Sequence, residues 1–172
     1  MFPPRRIVCL TEETVETLYL LGEQDRIVGI SGYVVRPPEA RREKPRVSTF
    51  TSPNIDKILA LKPDLVLTFS DLQADIAADL IRRGLNVHAF NQRSVAGILD
   101  MILMLGAMVD ASSMASAARR QVGGAFSGNP KTRGMSIEAA GGILRGVGRS
   151  TDFRDWMGVG ARRDRRRYRH LS

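Results

Sequence analysis

The residues of this chain that are suited to acid–base or nucleophilic chemistry are few and scattered. Glu12 and Glu13 are adjacent carboxylates at the start of an expected helix, where acidic side chains more often only complement the helix dipole. His88 lies inside an expected strand, and Cys9 ends another as a small apolar residue. A small α/β enzyme using Glu12, Glu13 or His88 stays open as an alternative, but no catalytic residue is predicted.

Cofactor and metal motifs are also missing. No G-x-G-x-x-G follows the first expected strand, and there is no Walker lysine loop or G-x-S-x-G elbow. One cysteine and two histidines argue against a disulfide framework and a metal centre, so neither cofactor nor metal is expected. No apolar run approaches 18 residues, which argues against membrane insertion, and the chain as written begins without a secretory signal.

The net charge of +8 is unevenly distributed along the 172 residues. Residues 1–120 carry 15 basic and 14 acidic side chains, whereas residues 121–172 carry 11 and 4, together with 10 of the 16 glycines. A nearly neutral domain therefore precedes a basic, Gly/Arg-rich tail. A nucleic-acid-binding α/β domain with a basic tail is the second alternative.

Short apolar runs alternate with helical periodicity in the first 120 residues. Such alternation predicts an α/β domain with a mostly parallel sheet flanked by helices. A long loop is expected at residues 31–53, and the helix capped by Ser94 is expected to run past Gly106 towards Arg120. The expected strands are residues 7–10, 26–30, 65–69 and 86–90, and the expected helices begin near residues 14, 55, 71 and 95.

Ligands approach parallel sheets at the carboxyl ends of the strands. Ser70 and Asp71 follow the third expected strand, and Asn91 and Gln92 follow the fourth, so all four are binding candidates by position. Tyr33 and Phe50 lie in the long loop, where aromatic rings either form walls for a large ligand or only pack the loop down.

Residues 5–120 contain three informative strings: R-I-V-C-L-T-E-E-T-V-E-T-L-Y-L-L-G, R-I-V-G-I-S-G-Y and, the most specific, P-N-I-D-K-I-L-A-L-K-P-D-L-V-L at residues 53–67. With these strings the region resembles the amino-terminal lobe of the cobalamin and iron-siderophore class of periplasmic binding proteins. The resemblance implies the first of two α/β lobes joined by a rigid helix, with ligand held between the lobes. It also implies a substrate-capturing role in an ABC importer.

The resemblance assigns roles to particular residues. Tyr33 and Phe50 match cleft positions of the cobalamin binders, and Thr51 beside Phe50 is included with them. Asp56 of P-N-I-D-K matches an acid that docks onto arginines of the membrane permease. The expected partners are a cobalamin-like or ferric-chelate ligand and the permease, with no specific nucleic acid. The family is exported to the periplasm.

The tail departs from the family. When the codons of the tail are read one frame away, they can spell three strings that resemble early strings of the second lobe. Residues 143–149 can give Y-F-E-E-W-D, residues 155–161 can give I-G-W-V-S-E-L, and residues 165–171 can give A-G-G-T-D-I-F. We therefore expect a frameshift near residue 120. The predicted organisation is an α/β lobe at 1–93, the start of the linker helix region at 94–120, and an out-of-frame, disordered tail at 121–172. The protein is expected to be truncated and inactive.

Overall fold

A computed structural model describes residues 2–48 and 54–127. Five parallel strands lie in the order β3-β2-β1-β4-β5 with helices on both faces, which confirms the predicted α/β class. The elements are β1 (Ile7–Cys9), α1 (Glu12–Leu20), β2 (Ile27–Ser31), α2 (Pro38–Glu43), β3 (Arg46–Ser48), α3 (Ile55–Ala60), β4 (Leu65–Phe69), α4 (Ala74–Arg82), β5 (Val87–Phe90), α5 (Val95–Met108) and α6 (Ser112–Ser127), with short 3₁₀ turns at Gln24–Arg26 and Asp71–Gln73.

The central strand β1 divides its side chains between the two faces of the sheet. Ile7 and Cys9 are buried in a core that also contains residues of α1, α5 and α6. Val8 and Leu10 are buried in a second core with Ile58 of α3 and other residues on that face. The apolar run of β1 therefore lies between two helical layers, as expected for a parallel strand.

The predicted loop at residues 31–53 is partly wrong, because α2 and β3 lie within it. Pro38 occupies the first position of α2, where a missing N–H costs nothing. Only Val47 of β3 is fully buried, and it joins the core on the α3 face. A three-residue strand with one buried side chain carries too little periodicity to be found in the sequence.

The helix that begins at Ser94 does not continue to Arg120. It ends at Met108, and the chain reverses at Asp110, whose φ is 61°. The returning helix α6 packs closely against α5 because Gly106 has no side chain: a Cβ there would lie 2.2 Å from the Cβ of Ala115. Gly123 lies beside Leu99, so α6 runs antiparallel to α5.

The predicted start of the disordered tail at residue 121 also needs correction. α6 continues to Ser127, and Val122 is completely buried in the core that α6 shares with α5. The spacing of Ala115, Ala118 and Val122 keeps one face of the helix on α5, so helical packing persists despite Gly123 and Gly124. Residues 128–172, the rest of the predicted tail, lie outside the described residues.

Candidate ligand-binding site

The strand order creates a topological switch point beside β1. The connection after β1 leads to β2 on one side, whereas β4 lies on the other side of β1. In open parallel sheets such a point opens a crevice at the carboxyl ends of the strands. We call this side of the domain, formed by the residues that follow β1, β2, β4 and β5, the carboxyl edge.

The predicted binding residues in the described part of the chain divide into two groups at the carboxyl edge. Tyr33 follows β2, whereas Ser70 and Asp71 follow β4 and Asn91 and Gln92 follow β5. The ends of β4 and β5 are joined, since the Ser70 N–H donates to the Phe90 carbonyl at 2.8 Å. The end of β2 lies two strand spacings from β4, or about 10 Å. Phe50 and Thr51 lie outside the described residues.

Tyr33 presents an exposed ring on an anchored backbone. The Gly32 N–H donates to the Ser48 carbonyl at 2.6 Å, and a side chain at Gly32 would press against that oxygen. On the other side of Tyr33, Val34 is buried in the core. Tyr33 as a whole is nevertheless 65% exposed. A fixed aromatic surface at the crevice is well suited to contact a large ligand.

Glu12 holds this loop in place. Its carboxylate accepts the Val35 N–H at 2.8 Å and forms an ion pair with Arg36. Arg36 also pairs with Glu16 at 2.9 Å, so two carboxylates of α1 share one guanidinium. Glu12 therefore stabilises the loop after β2. The sequence alone had indicated only that Glu12 complements the helix dipole or takes part in catalysis.

The end of β4 is locked by Gln73, a residue that sequence reasoning missed. Its Oε1 accepts the Phe69 N–H at 3.0 Å and its Nε2 donates to the Leu10 carbonyl at 3.3 Å, so it bridges the ends of β4 and β1. Ser70 has a φ of 55°, and its hydroxyl oxygen accepts the Leu72 N–H. Leu72, which lies in the turn after β4, is 62% exposed.

Arg93 is the second residue that the sequence did not reveal. Its Nη2 donates to Asp71 at 2.8 Å, its Nε donates to the Asn91 side-chain oxygen at 3.1 Å, and its guanidinium carbon lies 5.7 Å from the centre of the Phe69 ring. The hydrogen bond from Arg93 holds the pKa of Asp71 below its usual value. Asp71 and Asn91 are thus brought together by an arginine between them.

Gln92 differs from its neighbours because its side chain is buried. Its Nε2 donates to the Met101 sulfur at 3.4 Å, and its Oε1 has no hydrogen-bond partner among the described residues. The contact with Met101 orients part of Gln92 towards α5. A role for Gln92 in ligand binding stays a prediction.

Two of the residues considered for catalysis, Cys9 and His88, lie in strands of the sheet. Burial raises the pKa of Cys9 to about 12, so its thiol stays protonated. His88 is half-buried with its ring edge-on to Phe90, and desolvation lowers its pKa. Within residues 2–48 and 54–127 no three His, Cys, Asp or Glu side chains gather as metal ligands. Over the same ranges, none of the helices has the length and hydrophobicity to cross a membrane.

The predicted docking residue Asp56 lies in the first turn of α3. This helix begins beside the carboxyl end of β3, because the Asn54 N–H donates to the Val47 carbonyl at 3.0 Å. Asn54 also caps the helix by accepting the Lys57 N–H at 2.9 Å. Asp56 is exposed, so its carboxylate is accessible to a partner.

A family model described as "Periplasmic binding protein" matches residues 7–126. The chain belongs to this family. Periplasmic binding proteins capture substrates and are not enzymes, which decides against the small α/β enzyme. The resemblance recognised in the sequence is therefore confirmed, and the matched region ends within α6.

Individual periplasmic binding proteins resemble parts of this chain. The vitamin B12-binding protein of Vibrio cholerae serotype O1 is 41% identical over 68 residues, which cover 40% of this chain and 24% of that protein. The crystal structure of the periplasmic vitamin B12 binding protein of Vibrio cholerae superposes with a TM-score of 0.62 at 28% identity, covering 71% of this chain and 49% of that one. A periplasmic heme binding protein from Pseudomonas aeruginosa shares the fold, with a TM-score of 0.65 at 22% identity and coverage of 72% and 44%. The chain thus spans a quarter to half the length of these relatives.

Proposed function

We propose that this protein is the substrate-binding component of an ABC importer and that its carboxyl edge contacts a cobalamin-like or ferric-chelate ligand. The observation that carries the proposal is the exposure of Tyr33 and Leu72 on turns that are held by hydrogen bonds at the crevice. Exposed apolar side chains on a fixed scaffold are typical of binding surfaces. The vitamin B12-binding relatives support the ligand class.

We propose further that α6 begins the linker to a second lobe. α5 leaves the carboxyl edge, and α6 returns antiparallel to it, so the chain travels back towards the edge where the ligand would bind. In this proposal the lobe includes α5 and the linker begins at Ser112, later than the residue 94 expected from sequence. One lobe supplies only part of the contacts, so the 172-residue chain would bind weakly.

The second lobe is proposed to be encoded one frame away from the codons of the tail. In that frame, codons for the tail residues can spell the three family-like strings in their expected order. Sequencing the locus should show an open shifted frame that continues past codon 172 and encodes a lobe of more than 100 residues. An early stop codon in that frame, with no α/β pattern beyond it, would remove the basis for this proposal.

The ligand proposal can be tested directly on the 172-residue chain. Titration of the ¹⁵N-labelled protein with cyanocobalamin to about 2 mM should shift the amide signals of Tyr33 and Leu72, with a dissociation constant in the high micromolar range or weaker. Calorimetry at about 10 μM should detect nothing. Amides near Arg26, at the opposite edge of the sheet, serve as the internal control. Absence of shifts at Tyr33 and Leu72 would contradict cobalamin as the ligand of the carboxyl edge.

Transport and permease docking need the frame-restored protein in the periplasm. There, Phe50→Ala should weaken cobalamin binding, because the family resemblance assigns that ring to the cleft wall. Asp56→Ala should leave ligand affinity intact and impair uptake only. Asp75→Ala, which removes an exposed acid from α4, is the matched control and should transport normally. Equal uptake by the Asp56 and Asp75 variants would exclude Asp56 as the docking acid.

A further inference from the structure

Arg93 is held unusually firmly for an exposed arginine. Asp71, Asn91 and the Phe69 ring all contact its guanidinium, although the side chains of Arg93 and Asp71 are 59% and 79% exposed. Exposed ion pairs contribute little to folding stability. The arrangement therefore does little for the fold, but it fixes the direction of the Arg93 donors at the crevice. No described residue forms a hydrogen bond with Nη1, so its N–H groups remain for a ligand.

Charge at the carboxyl edge is balanced by neighbouring carboxylates. Arg36 pairs with Glu12 and Glu16, and Arg93 pairs with Asp71. These two clusters together carry three acids and two bases, so they contribute no excess of positive charge. A free guanidinium would bind a carboxylate of a ligand in a bidentate manner. With Asp71 already paired to it, Arg93 instead offers N–H groups without an unbalanced charge.

We propose that Asp71 is a specificity-determining residue, which neutralises Arg93 so that this side of the crevice selects ligands with an uncharged, hydrogen-bond-accepting surface over polyanionic chelates. The inference rests on the proposed function, since it concerns the same crevice. An amide-rich ligand accepts hydrogen bonds from Nη1 without competing for the guanidinium. A polyanion must either displace Asp71 or approach its carboxylate, and both are unfavourable.

The experiment compares two probes on the 172-residue chain by NMR titration. Cyanocobalamin is the amide-rich probe without net charge, and gallium(III) citrate is a diamagnetic anionic chelate. Asp71→Asn keeps the shape of the side chain but leaves Arg93 unbalanced. It should raise the ratio of gallium citrate affinity to cyanocobalamin affinity about fivefold over that of the parent chain at low salt. The gain should shrink in about 0.5 M NaCl, because salt screens exposed charges.

Asp75→Asn is the matched control, since it removes an exposed acid from α4 and changes the net charge equally. It should leave gallium citrate affinity unchanged, and adding Arg93→Gln to Asp71→Asn should abolish the gain. Equal citrate affinities of the parent, Asp71→Asn and Asp75→Asn chains would overturn the inference, as would equal gains in both variants. If no chain binds cyanocobalamin but only Asp71→Asn gains citrate affinity, the proposed ligand is wrong and the role of Asp71 is supported.

Discussion

The two edges of the sheet use the same residue types in different ways. At the amino edge, where the strands begin, the Asp64 carboxylate accepts the N–H groups of Arg5 and Arg6 at 2.7 and 2.9 Å. The Arg6 guanidinium donates to the Leu61 carbonyl at 2.6 Å. At the carboxyl edge, Asp71 and Arg93 contact each other and remain exposed.

Arg26 shows the amino-edge pattern most clearly. Its guanidinium donates to Glu23 at 2.7 Å, to the Pro4 carbonyl at 2.7 Å and to the Val109 carbonyl at 3.1 Å. These bonds join the first residues of the chain, the start of β2 and the end of α5. Charged groups at the amino edge satisfy backbone atoms and hold elements together. At the carboxyl edge Glu12 and Arg36 do the same for one loop, whereas the Asp71–Arg93 pair stays exposed.

The largest expected difference between the edges is in stability. Arg26→Ala should lower the free energy of unfolding by about 2–4 kcal/mol, because it removes an ion pair with Glu23, which is 7% exposed, and two hydrogen bonds to backbone carbonyls. Chemical denaturation followed by circular dichroism measures the effect. Arg93→Ala is the control and should change stability by less than about 0.5 kcal/mol. If the two variants lost similar amounts of unfolding free energy, the proposed difference between the edges would be wrong.

Two tyrosines sharpen the comparison on the ligand side. Tyr33→Ala should weaken cyanocobalamin binding about tenfold, with little change in stability, because its ring is exposed. Tyr19→Phe is the counterpart: it removes a 2.9 Å hydrogen bond to Glu43 that joins α1 to α2 and should cost about 1 kcal/mol of stability without altering binding. A binding defect in Tyr19→Phe, or none in Tyr33→Ala, would contradict the assignment of the crevice.

The smallest effect concerns the titration of Asp71. Because Arg93 lowers its pKa, the carboxylate should stay ionised below the pH at which an ordinary aspartate, with a pKa of about 3.9, takes up a proton. The pair is therefore complete above that pH and is lost only as the pH falls through the lowered pKa. Carboxyl ¹³C NMR should show this pKa rise in Arg93→Gln. An identical titration in that variant would mean that the pair does not form in solution.

The residues of the proposed binding site were only partly predictable from the sequence. Tyr33, Asp71 and Asn91 were named as candidates because each follows a predicted strand, and parallel strands end at a common edge. Gln73 and Arg93 were missed because their roles depend on partners from other elements, such as Leu10 and Asp71. Glu12 was considered in the sequence for catalysis or for complementing the helix dipole. Its role in holding the loop after β2 could be recognised only once the position of that loop was known.

The amino-acid sequence by itself determined the alternation of strands and helices, because buried strands and capped helices leave local signals. The Asn54 and Ser94 caps were recognised from sequence, and both accept the expected backbone hydrogen bonds. Only the tertiary structure decided that β3 pairs with β2 and that α5 ends before α6 turns back onto it. Strand pairing and helix packing depend on which surfaces distant in sequence come into contact. The close approach of Gly106 to Ala115 is an example, because no local sequence pattern predicts it.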